Sequence, residues 1–170
     1  MYTIRIYGDP VLRVKGMKVP VEKIPEIKDI AEEMFRAMYA YEGIGLAAQQ
    51  VGITEQIVVI DTHEEGSSPM VIINPDILAY SEEESSYEEG CLSFPDIRAD
   101  IRRPVAIKLS YYDIHGNEHT EEFDGLLARV LQHEIDHING TLFIDRMSPV
   151  SRMLLKKKLN KLKESHGDTP

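Results

Sequence analysis

One cysteine is too few for an internal disulfide, so Cys91 of this 170-residue chain is left as a small buried residue, a nucleophile or a metal ligand. Long apolar runs are missing as well. Stretches such as Ile57 to Ile60 are far too short to cross a bilayer, so no membrane partner is expected. The first residues, Met1-Tyr2-Thr3-Ile4-Arg5-Ile6-Tyr7, enter strand-like alternation with no basic, apolar or Arg/Ser-rich leader before them. That reads as a cytoplasmic protein, or as the mature form of something trimmed. Basic residues are outnumbered, 19 against 29 acidic, and a formal charge of −10 argues against general or sequence-specific nucleic acid binding. No repeat, Pro-rich tract or low-complexity linker divides the chain, so a single domain over 1–170 is expected.

What is present is ordered by periodicity. Residues Ile24 to Ala40 read as an amphipathic helix, with Ile27, Ile30, Ala31, Met34 and Met38 on one stripe, Pro25 in the first turn and Gly43 as a stop. Strand candidates follow at Gln56 to Ile60, Val71 to Ile73, Ile77 to Tyr80 and Val105 to Tyr112. A hairpin connection at Asp113-Ile114-His115-Gly116-Asn117 leads into Glu118 to Phe123. Gly125 to Ile138 reads as a second helix, with Asp124 as its N-cap and Gly140 as its stop. A third runs roughly from Val150 to Lys163 within a basic segment, 149–165, with a tail at 166–170. The pattern predicts an α+β fold: mostly antiparallel strands packed around a central helix, with N-terminal and C-terminal helices flanking them.

The central helix carries His133-Glu134-Ile135-Asp136-His137, an HExxH sequence. Residues at i and i+4 share a helix face, so both imidazoles can reach one ion while Glu134 addresses a bound water without ligating. His133 to Gly140 reads HExxHxxG, as metzincin proteases begin, but their next histidine would fall at Phe143. Glu164 lies in a solvated tail, and Asp145-Arg146 reads as a pair of surface charges. Cys91, fixed locally within Gly90-Cys91-Leu92-Ser93-Phe94-Pro95, is the better third ligand. A thiolate and two imidazoles leave a fourth position open for water, as catalytic sites require. His63, His115, His119 and His166 sit in polar contexts and read as surface residues.

Three segments, Gly43-Ile44-Gly45-Leu46-Ala47-Ala48-Gln49-Gln50-Val51-Gly52, Glu89-Gly90-Cys91-Leu92-Ser93 and Gln132-His133-Glu134-Ile135-Asp136-His137, together resemble the signature of peptide deformylases. Gly8-Asp9-Pro10-Val11-Leu12-Arg13 is similar to the family's opening, and the likeness runs from about Ile4 to Pro149, in its shorter, type 1 form. Gln49 and Phe94 depart from the family's usual small polar and aliphatic residues, at positions that hold no ligand. The resemblance implies removal of the formyl group from the N-terminal formylmethionine of nascent polypeptides. It implies Cys91, His133 and His137 as metal ligands, with Glu134 moving the proton. Gln50, through its side-chain amide, and Leu92, through its backbone N–H, would stabilise the oxyanion. Substrate would be lined by Ile44, Gly45, Tyr87, Glu89, Gly90, Arg98, Leu126, Arg129 and Val130. The ion would be Fe(II) in cells, replaceable by Zn(II), Ni(II) or Co(II); the ligand set alone selects none of them.

Rival classes remain. A cysteine hydrolase would use Cys91 with a histidine base and need no metal, whereas a structural zinc module would need a fourth protein ligand. An HExxH endoprotease would cut unformylated peptides. The C-terminal segment adds a partner: between Arg146 and Lys163 lie Arg152, Lys156, Lys157, Lys158 and Lys161 without an acidic residue. This helix is either a basic-faced cap on the core or, as the resemblance implies, a docking element for the ribosome.

Overall fold

Four consecutive branched residues, Ile57–Ile60, are buried on both faces because the strand they form runs between two helices. The computed structural model describes residues 1–166. In chain order the regular elements are α1 (Lys28–Ala40), β1 (Gly45–Ala47), β2 (Ile57–Ile60), β3 (Met70–Tyr80) and β4 (Glu84–Gly90). Then come β5 (Arg98–Pro104), β6 (Ala106–Tyr112), β7 (Glu118–Asp124), α2 (Gly125–Ile138) and α3 (Pro149–His166). Strands β1-β2-β3-β6-β7 form an antiparallel sheet in that spatial order, and β4-β5 form a separate hairpin. The α+β expectation holds, with the HExxH sequence inside α2.

Period-two alternation sends the two faces of β2 to different cores. Ile57 and Val59 join Ile27, Ala31, Met34 and Met38 beneath α1. Val58 and Ile60 join Ile107, Leu109, Ala128, Leu131 and Ile135 beneath α2. A third cluster, with Leu12, Phe94, Ile101, Phe143 and Leu159, fills the space between the hairpin and α3. From Ala128 to Ile138 only Asp136 escapes full burial, so α2 is enclosed on all sides beyond its first turn. Partners that satisfy its polar side chains therefore come from elsewhere in the chain.

Several expectations are corrected. The first seven residues form no strand: Arg5 N–H reaches Gln50 O and Tyr7 N–H reaches Ser93 O, single bonds to two different turns. Ile24–Ala40 is not one helix, because Pro25 lacks an N–H and Val21–Ile27 coils as 3₁₀ before α1 begins at Lys28. The two segments at Val71 and Ile77 are one strand, interrupted by a register shift where Asn74 adopts φ 52° and clasps both backbone groups of Val19. Asp124 occupies the N-cap position but makes no side-chain cap bond. The basic helix extends through His166, and the rest of the expected tail, 167–170, lies outside the described residues.

Gly140 does stop α2, and the reason is doubly steric. Its φ is +74°, and a Cβ there would stand 2.6 Å from the carbonyl oxygen of Arg13. Arg13 closes the contact by donating to Gly140 O and pairing with Asp145, which also accepts from Leu142 N–H. Asp145 and Arg146 are thus built-in ion pairs rather than free surface charges, Arg146 meeting Asp136. His119 is likewise no free surface residue: it stacks on Tyr111 and bonds Asp113.

Candidate metal centre

Two elements distant in sequence deliver the ligand candidates. One turn of α2 aligns His133 and His137, with ring centroids 5.2 Å apart. Cys91 leaves the end of β4 in a turn closed by Phe94 N–H on Cys91 O. One donor atom from each of the three residues lies within 4.8 Å of the others, and Cys91 Sγ is 3.3 Å from His137 Nε2. An ion at about 2.3 Å from sulfur and about 2.0–2.1 Å from nitrogen in tetrahedral geometry separates those donors by about 3.6 Å. One sulfur, two imidazole nitrogens and that spacing fit a single divalent ion.

His133 Nδ1 is held 2.9 Å from Glu89 Oε1, which turns Nε2 toward the thiol. Burial works against charge on His133, yet hydrogen bonds to Cys91 and Glu89 raise its pKa well above the ordinary value. Burial and the neighbouring His133 charge lower His137 well below it. Burial would also raise Glu89, but hydrogen bonds from His133 and Arg103 overcome that and hold its carboxyl at about 2.

Glu134 lies beside this group, Oε1 at 4.0 Å from His133 Nε2. Its Oε2 is buried without a partner among the described residues, and burial pushes its pKa up to about 7. Gly45 explains how β1 comes so close to this carboxyl. A Cβ at Gly45 would stand 2.7 Å from Val130 Cγ1 and 2.9 Å from Glu134 Oε1, so any larger residue must displace the carboxyl. Gln50, in the turn after β1, accepts Ala47 N–H at Oε1, which aims Nε2 at Cys91 Sγ, 3.4 Å away, and at Ser93 Oγ.

The lining residues divide. Tyr87, Leu126 and Arg129 border a cavity of ≈ 400 Å³ with Ser85, Glu64 and Val105. Ile44 and Val130 pack with Leu126 in the core beneath α2. Arg98 is mostly exposed, bonds Glu88, and lies over Gly90, where a Cβ would meet its Nη1 at 2.8 Å. The side chain of Glu89 is only 6% exposed and faces His133, Arg103 and Arg129, so it turns away from any peptide. Arg129 bonds Glu89, Ile101 O and Ser85, and its guanidinium sits 5.5 Å from the Tyr87 ring centroid. Sequence reasoning missed Arg103, Asp136 and Ser93. Arg103 had a signal: it takes the inward position after Ala99 and Ile101, where a charge requires a buried partner.

An α+β protein with a cysteine sulfur and two helix imidazoles that could hold an ion beside a buried carboxyl fits the class of HExxH metal-site proteins. Within that class, the family model for polypeptide deformylase matches residues 1–153, and the chain belongs to this family. It is 49% identical over 160 residues to the peptide deformylase of Thermotoga maritima, covering 94% of each chain. The solved peptide deformylase of Plasmodium falciparum superposes with a TM-score of 0.91 at 38% identity, covering 98% of both chains. That of Thermus thermophilus gives 0.89 at 34% identity, covering 98% of this chain and 99% of the other. The chain is therefore an enzyme, a hydrolase of the deformylase type. No helix among the described residues is long and apolar enough to cross a membrane.

Proposed function

We propose that this enzyme removes the formyl group from N-terminal formylmethionine of nascent polypeptides, using one divalent ion held by Cys91, His133 and His137. The observation that carries the reading is the convergence of those three donors beside a buried carboxyl with a free oxygen. The ion, Fe(II) in cells and replaceable by Zn(II), Ni(II) or Co(II), supplies Lewis acidity that polarises the formyl carbonyl and acidifies water.

Glu134 takes the proton of the attacking water at Oε2, the buried oxygen left without a hydrogen-bond partner among the described residues. Water oxygen bonds to the formyl carbon, the C–N bond breaks, and Glu134 returns the proton to the departing amine. Formate and a free N-terminus result. Gln50 Nε2 and the Leu92 N–H hold the negative charge that develops on the formyl oxygen, and each such donor lowers a barrier by roughly 3–4 kcal/mol. The Tyr87, Leu126 and Arg129 cavity takes the methionine side chain, with Ile44 and Val130 packed in the same apolar cluster as Leu126. The backbone of Gly45 and Gly90 and the side chain of Arg98 border the peptide. Glu89 orients His133 instead of touching substrate. A formyl carbonyl carries only hydrogen on its far side, so it enters a site too tight for bulkier acyl groups.

The test is formate release from a short formyl-Met peptide, run beside the same peptide unformylated. Turnover of the first alone, abolished by a chelator and restored by an ion, is expected. Cleavage of ordinary peptide bonds, or turnover untouched by the chelator, would sink the reading in favour of an endoprotease or a cysteine hydrolase.

We place the enzyme in the cytoplasm, with α3 as its contact to the ribosome. Leu155, Leu159 and Leu162 face the core while Lys156, Lys157, Lys158, Lys161 and Lys163 are exposed. Reversing Lys156, Lys157, Lys158 and Lys161 to Glu should abolish co-sedimentation with ribosomes at low salt and leave turnover of a short peptide unchanged. Undiminished co-sedimentation would reduce α3 to a cap on the core.

A further inference from the structure

Behind the ligand candidates runs a chain of alternating charges: Arg129, Glu89, Arg103, Asp136, Arg146. Glu89 receives Arg129 Nη1 at 2.7 Å and Arg103 Nε at 2.7 Å, besides His133 Nδ1 at 2.9 Å. Arg103 passes its other arm, Nη1, to Asp136 Oδ2 at 2.9 Å. Arg146 grips both oxygens of Asp136, Nε to Oδ2 at 3.0 Å and Nη2 to Oδ1 at 2.8 Å. Neither Asp136 nor Arg146 reaches the ligand atoms, and Asp136 points away from them although it lies between the two histidines in sequence.

We propose that Asp136 and Arg146 are positioning residues that raise the affinity of the centre for its ion by holding Arg103 on Glu89 and Glu89 on His133. The inference rests on the reading of Cys91, His133 and His137 as ligands, and it concerns how tightly they bind. Glu89 carries one negative charge shared among Arg103, Arg129 and His133. Asp136 takes up part of the charge of Arg103, which leaves more of Glu89 for the imidazole N–H. A carboxylate on Nδ1 fixes the ring's rotation and makes the opposite nitrogen the better donor. Arg103 is 3% exposed, so solvent cannot stand in for Asp136. Arg146 is half-exposed, and its two-pronged grip fixes the rotation of the Asp136 carboxylate so that Oδ2 meets Arg103.

The competing role is a staple joining α2 to β5 and to the segment before α3. A staple would lower the melting temperature of the metal-free protein and leave the ion affinity of the folded protein unchanged. The two are separated by measuring Zn(II) affinity through chelator competition, well below melting, together with the spectrum of the Co(II) form. Parent, Asp136→Asn, Arg146→Met and the double variant are compared. Asp136→Asn should weaken binding about tenfold while keeping the cobalt–thiolate band. Arg146→Met should weaken it about threefold, as suits a half-exposed pair. The double variant should bind no more weakly than Asp136→Asn, because the residues act in series. Arg146→Lys, which reaches one oxygen only, should recover part of the loss.

Affinities equal to the parent's in both single variants, or losses that multiply in the double, would overturn the proposal. Should Asp136→Asn fail to fold, Arg146→Met at the half-exposed end decides alone. A parent that binds no ion with a thiolate band would overturn the ligand assignment itself, a result distinct from equal affinities.

Discussion

Glu134→Gln is expected to keep its metal and lose turnover by at least about a hundredfold, and as much as ~10⁴-fold. The amide preserves the length and shape of the side chain but cannot accept a proton. Glu134 Oε1 is 4.0 Å from His133 Nε2, but no oxygen of Glu134 joins the group of Cys91, His133 and His137 donors that lie within 4.8 Å of one another, so the ion should not depend on it. Its Oε2 is buried without a hydrogen-bond partner among the described residues and is the oxygen left to accept the proton. Metal content and formate release should be measured on the same preparation. Loss of metal in parallel with activity would make Glu134 a structural part of the centre and remove it from the proton path.

Cys91→Ser should fail at the earlier step. Cys91 offers the sulfur among the three candidate donors, so a hydroxyl in its place should cut ion affinity by orders of magnitude. It should also erase the cobalt–thiolate charge-transfer band. The fold should survive, because Cys91 lies at the margin of the third core cluster and Phe94, its neighbour in the turn, stays packed between Tyr7 and Phe143. An unchanged cobalt spectrum in this variant would eliminate Cys91 as a ligand. With Cys91 as a ligand, the iron form is expected to lose activity in air faster than the nickel or zinc forms.

The sequence disclosed α2 to the residue, because its apolar spacing and the HExxH pair coincide within one element. It also disclosed β2, β6 and β7 to within one residue at each end, where branched or alternating residues fill one strand apiece. Hairpin β4-β5 escaped notice. Its inward positions are Glu89, Ala99, Ile101 and Arg103, and charged residues at half of them hide the alternation that marks a strand. The same substitution of ion pairs for apolar contacts concealed the role of Glu89, which in sequence is one more acid in an acidic run. Pro25 misled in the other direction: acceptable in a first helical turn, it instead sits inside a 3₁₀ segment that carries Ile24 and Ile27 into the core. Local pattern thus revealed what each element buries for itself, and hid what elements exchange through charged side chains.

The gap of 46 residues between Cys91 and His137 sets an order of assembly. The thiol leaves the synthesising machinery well before α2 exists, and a chain that has made only the hairpin owns one donor out of three. Two histidines on an isolated turn of helix would still lack the sulfur. An ion that takes all three donors would bind only after β4 has docked on α2, so its loading would report on a long-range contact. Until then the single thiol is unguarded.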